Sequence, residues 1–163
     1  MKTLILVRHA KSDWSADGLP DFDRPLNERG KRDAPVMAAR LAEKIKHPDA
    51  IVASPAKRAA KTAKLFAEQF GISKDAILYK DELYLPPPAV FYSVIEKLDD
   101  QFLQVLIFSH NNGITDFANE LTDARIDNIP TCGIFAVQAD IDSWKDFRTA
   151  EKTFLFVDYP KAK

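Results

Sequence analysis

The sequence predicts a single three-layer α/β domain over residues 1–163, with a mostly parallel central sheet and helices on both faces. Three observations carry that expectation. Apolar runs of strand length alternate with segments of helical periodicity, the pattern of right-handed strand–helix–strand crossovers. The first run, Thr-Leu-Ile-Leu-Val at residues 3–7, is apolar almost throughout rather than alternating, as strands covered on both faces are. Size agrees. A chain of 163 residues folds to a surface of roughly 8,200 Å² and hides about 69% of what it exposes when extended, enough for one core and too little for two.

Each element has its own reason. After the strand at 3–7, Asn27 is placed to cap a helix whose apolar positions Val36, Met37, Leu41 and Ile45 keep helical spacing, and His47-Pro48 ends it. Pro35 lies inside that pattern and is expected to kink the helix or shift its start. A short strand at 50–53 follows. Ser54-Pro55 reads as a helix start, serine as N-cap and proline at the first helical position, with the helix running to Phe70 and stopping at Gly71. Residues 76–79 form a weaker third strand. Pro87 and Pro88 open a helix through Val90, Phe91, Val94, Ile95 and Leu98, and 105–108 is a strong fourth strand. Asn111 or Asn112 caps a last helix through Ile114, Phe117 and Leu121. Residues 134–137 and 153–157 are rich in β-branched and aromatic side chains and read as strands.

Composition excludes several function classes. Hydrophobic residues make up 46% and charged residues 29%, the balance of a folded domain rather than a disordered chain. No stretch approaches the ~20 apolar residues of a membrane helix, and the N-terminal apolar run is too short for a signal-peptide core. A cytoplasmic protein, not bound to membrane and monomeric, is expected. The single cysteine, Cys132, rules out a disulfide framework and reads as a small core residue. A net charge of -1 argues against a nucleic-acid partner. Yet residues 1–60 carry 12 Lys/Arg against 8 Asp/Glu, whereas residues 61–163 carry 11 against 16. That asymmetry reads either as random placement of solvated charge or as a basic anion site built from the N-terminal half.

Side chains with chemical potential gather where strands end, which in open α/β sheets is where ligands bind. Arg8-His9 follows the first strand, Ser54 to Arg58 the second, and Ser109-His110 the fourth. Two of the three histidines therefore share one predicted edge, while His47 has a structural or solvent role. Neutral imidazole serves as nucleophile or base, and guanidinium forks suit a tetrahedral oxyanion. Two arginines beside the histidines would repel a metal cation, so neither metal nor cofactor is expected. Other phosphate chemistries fail on spacing: Gln138 stands where a cysteine phosphatase would need an arginine after Cys132, and there is no nucleotide P-loop. Trp14, close to His9 in sequence, is expected at the site mouth, and Trp144 in edge packing.

These residues carry a family resemblance. Leu6-Val7-Arg8-His9-Ala10-Lys11-Ser12 resembles the Arg-His-Gly signature of the histidine phosphatase superfamily, the phosphoglycerate-mutase-like enzymes. Arg24 to Gly30 is similar to that family's Leu-Thr-x-x-Gly helix start. Ser54 to Ala63 matches its Ser-Pro-x-x-Arg-x-x-x-Thr-Ala block, and Ser109-His110-Asn111-Asn112 its second-histidine block. The blocks occur in family order over residues 4–113. The short chain and the Asp21 to Leu26 run look most like the compact SixA-like phosphohistidine phosphatases. Only Leu85-Pro86-Pro87-Pro88 stands where larger members carry insertions, which implies no cap domain.

The resemblance implies a metal-independent phosphatase in which His9 is the nucleophile and forms a phosphohistidine intermediate, with Arg8, Arg58 and His110 holding the phosphoryl oxygens. It places Asn111 among the substrate-binding residues. Arg24 is a fourth anchor or, on the plainer reading, a loop ion pair to Asp21 or Asp23. Ser15 stands where many members place a phosphate-contacting asparagine. Glu82 is the candidate general acid, or else a surface carboxylate. The implied partner is a phosphorylated protein of the histidine phosphotransfer type. The alternatives are a small sugar or nucleotide-precursor phosphate ester and, in another class, a non-catalytic phospho-ligand binding module.

Overall fold

A computed structural model describes residues 1–15 and 18–162. Six strands form one sheet: β1 (Lys2–Arg8), β2 (Ala50–Ala53), β3 (Leu78–Tyr79), β4 (Gln104–Ser109), β5 (Ile134–Ala139) and β6 (Lys152–Asp158). Four helices connect them: α1 (Glu28–Lys44), α2 (Lys57–Phe70), α3 (Pro88–Glu96) and α4 (Gly113–Leu121). The strand order is β3-β2-β4-β1-β5-β6. β3, β2, β4 and β1 run parallel, β5 is antiparallel to β1, and β6 is antiparallel to β5. The accessible surface of 8166 Å² agrees with the value expected for one domain of this size.

Period-two alternation divides the buried strands between two cores. Leu4 and Leu6 of β1, with Val105 and Ile107 of β4, pack on one face with Phe91 and Val94 of α3 and Phe117 of α4. Ile5, Val7, Leu106 and Phe108 face the other way, against Met37 and Leu41 of α1 and Phe66 of α2. This two-sided burial is why β1 and β4 read as unbroken apolar runs.

Several local expectations hold, and several shift. Asn27 caps α1, its side-chain oxygen accepting from the Gly30 N–H at 2.8 Å, and the helix continues through Pro35. Gly71 ends α2 in the left-handed conformation at φ 68°. Ser54 is not the cap of α2, which starts at Lys57 with Ala56 in the cap position and no side-chain cap bond. The third strand keeps only Leu78 and Tyr79, because Lys74–Ala76 forms a 3-10 turn. Trp144 is not edge packing: it is fully buried in the core of α3 and α4, with its indole N–H donating to Phe102 O at 2.9 Å. Cys132 is buried as expected.

The register sets the site. Arg8 pairs with Ser109 across β1 and β4, and Ala53 with Phe108 across β2 and β4, so these three strands end level. Two glycines let the connecting loops close over this edge. A Cβ at Gly30 would stand 2.1 Å from Lys11 O, and one at Gly113 would stand 1.9 Å from Pro86 O.

Candidate active site

His9 leaves the end of β1 with its N–H donating to Ser109 O at 3.1 Å. Its Nδ1 lies 2.7 Å from Ala10 O. A carbonyl only accepts, so Nδ1 carries the ring hydrogen and Nε2 keeps its lone pair. Arg58 Nε–H donates to that Nε2 at 3.3 Å, which agrees. The spacing from Arg58 to Thr62 now has a cause. One helical turn apart on α2, Thr62 Oγ1 donates to Arg58 O at 2.8 Å and accepts from the Ala10 N–H at 3.0 Å. The helix that supplies the arginine is thereby tied to the loop that carries His9.

His110 follows β4, and its ring centre lies 5.1 Å from that of His9. Its Nε2 meets Ser54 Oγ at 2.7 Å. Ser54 Oγ already accepts from the Ala56 N–H at 3.3 Å, so its hydroxyl hydrogen is free to go to the ring. His110 Nδ1 is buried without a partner. Burial and the neighbouring arginines push His9 down to about 3, against a weaker opposing pull from the Ala10 carbonyl. Burial, His9 and Arg58 push His110 down to about 2. Both rings are neutral at pH 7.

Three guanidinium groups surround them. Arg8 donates from Nη1 to Ile129 O at 2.8 Å, while its buried Nε has no partner. Arg24 is buried, donates from Nη1 to Ser12 Oγ at 2.6 Å, and lies under the Trp14 ring at 3.4 Å. Asp21 bridges the other two forks. Its Oδ1 accepts from Arg24 Nη2 at 2.9 Å, and its Oδ2 accepts from Arg58 Nη2 at 3.0 Å and from the Tyr84 hydroxyl at 2.5 Å. Partial burial works against its charge, but the bonds from Tyr84, Arg24 and Arg58 hold the Asp21 carboxyl well below the usual carboxylate range. These groups line one cavity of about 260 Å³, with Lys11, Asn111 and Leu85 also at its walls. Among the described residues four cations face one carboxylate in it, a site for an anion.

Of the residues singled out from sequence, Arg8, His9, Arg24, Arg58, His110 and Asn111 therefore meet in one place, with Trp14 at its mouth. Arg24 makes the loop ion pair to Asp21 and also lines the cavity. Asn111 is held by Thr115 Oγ1, which donates to its Oδ1 at 2.5 Å, and by Asn128. Two residues are not brought in. Ser15 is exposed and satisfies itself on Asp13, donating from Oγ at 2.6 Å and from N at 2.8 Å. Glu82 lies in a 3-10 turn (Asp81–Leu83) that buries Leu83 and leaves the glutamate exposed in a separate cleft with Lys80 and Lys97. Tyr84, two residues on, takes the place facing His110, with ring centres 5.4 Å apart.

A family model described as the histidine phosphatase superfamily (branch 1) matches residues 4–83. The chain belongs to the histidine phosphatase superfamily. The chain is also 30% identical over 161 residues to an uncharacterized chloroplastic protein of Arabidopsis thaliana, covering 89% of this chain and 70% of that one. Its fold is similar to that of SixA from Agrobacterium tumefaciens, with a TM-score of 0.82 and 27% identity over 98% of both chains. It is also similar in fold to the protein histidine phosphatase SixA complexed with tungstate, with a TM-score of 0.81 and 20% identity over 97% of each chain. The histidine phosphatase is thus of the compact SixA-like form, and it is a phosphatase. His110 lies beyond the matched segment, and the level ends of β1 and β4 bring it in.

Proposed function

We propose that this phosphatase hydrolyses phosphohistidine carried by a protein, through a phosphohistidine intermediate on His9 and without a metal ion. One observation supports the substrate most directly: among the described residues, none of the cavity's imidazole or carboxyl groups is placed to act as a general acid at neutral pH. Both imidazoles are pushed far below neutrality, Asp21 is held ionised, and Glu82 stands outside. A phosphate ester leaves as an alkoxide that needs a proton, whereas a phosphohistidine ring that is protonated on its other nitrogen leaves as neutral imidazole without a proton from the enzyme. SixA phosphatase names among the structural neighbours point the same way.

The chemistry runs in two displacements. The lone pair of His9 Nε2 attacks phosphorus in line as the bond from phosphorus to the substrate imidazole breaks, and that imidazole departs neutral with its other proton. Water then attacks phosphorus, the bond to His9 Nε2 breaks, and inorganic phosphate leaves with neutral His9 restored. Arg58, Arg8 and Arg24 hold the equatorial oxygens, and the orphaned Nδ1–H of His110 donates to one of them. The charge work is done by guanidinium, and among the described residues no group of three or more His, Cys, Asp or Glu side chains gathers as metal ligands.

The test compares two peptides that differ only in phosphohistidine against phosphoserine, with EDTA present. Turnover of the first at least about a hundredfold faster is expected, the size of a general-acid contribution. Equal rates would replace this reading with a small-ester phosphomonoesterase, and loss of all activity in EDTA would overturn metal independence.

A further inference from the structure

Beside the catalytic cavity lies a second, larger cleft that the chemistry does not use. It measures about 650 Å³. The segment of residues 21–25 is the wall between the two. Asp21 and Arg24 face the reaction, whereas Phe22, Asp23 and Pro25 face the cleft. The far side of the cleft is the outer face of α2, and there Lys57, Lys61 and Lys64 stand in line, with Lys31 of α1 opposite. Spacings of four and three residues put the three α2 lysines on one helical face, spanning about 10 Å. All three are exposed, and among the described residues none makes an ion pair or a side-chain hydrogen bond. Lys31 pairs loosely with Glu28 at 3.6 Å, and Asp23 is the single carboxylate lining the cleft.

We infer that this lysine-lined cleft docks an acidic segment of the phosphoprotein substrate, beside the phosphohistidine that enters the catalytic cavity. The inference rests on the phosphoprotein reading above. Three arguments converge on that occupant. The charge is complementary, four lysines against one aspartate. The cleft adjoins the site across that wall: Lys57 precedes Arg58 in sequence, and Phe22 packs edge-on against Tyr84 at 5.1 Å. The size is right for chain rather than for a phosphate group, since about 10 Å of helix faces three residues of extended polypeptide. The apolar floor of Leu26, Pro25 and Pro55 offers contact to such a segment's apolar side chains. None of the four cleft lysines lines the 260 Å³ cavity that would hold a small phosphate ester.

The experiment uses two synthetic peptides bearing the same phosphohistidine, one flanked by Asp and Glu and the other by Ser and Gly, with phosphoramidate as the small reference. The wild-type protein should favour the acidic peptide by about tenfold in kcat/KM, and the preference should shrink in high salt. Replacing Lys57→Gln, Lys61→Gln and Lys64→Gln together keeps good helix formers on an exposed face, so the fold stands. In that variant the preference should fall below about twofold, with phosphoramidate turnover held within about twofold of wild type. Equal turnover of the two peptides by the wild type, or a preference that survives the triple substitution, overturns the docking proposal and leaves the phosphohistidine reading standing. An oligodeoxynucleotide of matching charge that inhibits better than the dephosphorylated acidic peptide would also overturn it, in favour of a nucleic-acid surface. If neither phosphohistidine peptide turns over while phosphoramidate does, the substrate reading itself fails.

Discussion

Each end of β1 carries a cation, Lys2 buried and Arg8 half-buried, and the fold treats them in opposite ways. At the amino end Lys2 is 1% exposed, donates to Asp100 O at 2.6 Å and Phe102 O at 3.0 Å, and lies over the Trp144 ring at 5.3 Å. Little there is left to satisfy. At the carboxyl end Arg8 Nε and His110 Nδ1 are buried without partners, and two guanidinium groups, those of Arg24 and Arg58, share one carboxylate. A buried polar atom without a partner costs stability, on the order of 1–3 kcal/mol. Gln104 Oε1, beside the amino end, is also buried without a partner, but at the carboxyl end the unpartnered atoms belong to residues that line a cavity where strands finish level. Satisfied charge at the lysine end makes structure; unsatisfied donors at the arginine end await an anion.

Substitutions can break that contrast. The largest effect is expected from His9→Ala, which should reduce turnover of a phosphohistidine peptide by at least about 10³-fold with thermal unfolding little changed. Turnover near the wild-type rate would remove His9 from the nucleophile's role. At the opposite end, Trp144→Ala should cost about 3–5 kcal/mol in a denaturant titration while kcat per folded molecule stays close to wild type. Loss of kcat in that folded variant would mean the two ends are coupled. Arg58→Ala should lower kcat by roughly 10²–10³-fold, the worth of one preorganised donor. Steady-state kinetics showing only a raised KM would assign Arg58 to binding alone.

Proton linkage sharpens the comparison with a smaller effect. His9 and His110 have folded values near 3 and 2, below the 6.5 of an unfolded histidine, so the unfolded chain binds more protons between those limits. Stability from keeping these rings neutral is complete above pH 6.5 and is lost progressively as pH falls toward 3. Melting temperature should therefore fall between pH 7 and 4, less steeply in a His9→Gln/His110→Gln variant. The acid limb of kcat/KM, which reports the free enzyme, should likewise lie below about pH 5 after allowance for ionisation of the substrate. A limb at pH 6.5 would show that the histidines titrate as if solvated.

Where a local signal and the tertiary arrangement agreed, the sequence was legible. Arg8-His9 directly after an apolar run, and Ser109-His110 after another, placed both imidazoles at strand ends before any contact was known. Asn27 and Gly71 were readable because caps are made within one turn of chain. Ser54 shows the opposite case. A serine before proline looks like a helix cap, but its hydroxyl is used by His110, 56 residues away, and α2 begins later. Glu82 and Tyr84 were both near the site in sequence, and a single 3-10 turn decided which one faces it. Asp21 was visible only as a possible partner of Arg24. Its grip on Arg58 spans 37 residues and has no local signature.

By itself the sequence determined the layered α/β class, the two-sided burial of β1, and the residue types that would meet an anion. Those follow from periodicity and from which side chains end a strand, which are properties of neighbours along the chain. Only the tertiary structure decided that β5 runs antiparallel to β1, that Asp21 joins two arginines, that Glu82 stands outside, and that a lysine cleft adjoins the cavity. Each of these depends on register between distant segments. Such register is set by how two cores pack against one sheet, and short-range pattern carries little record of it.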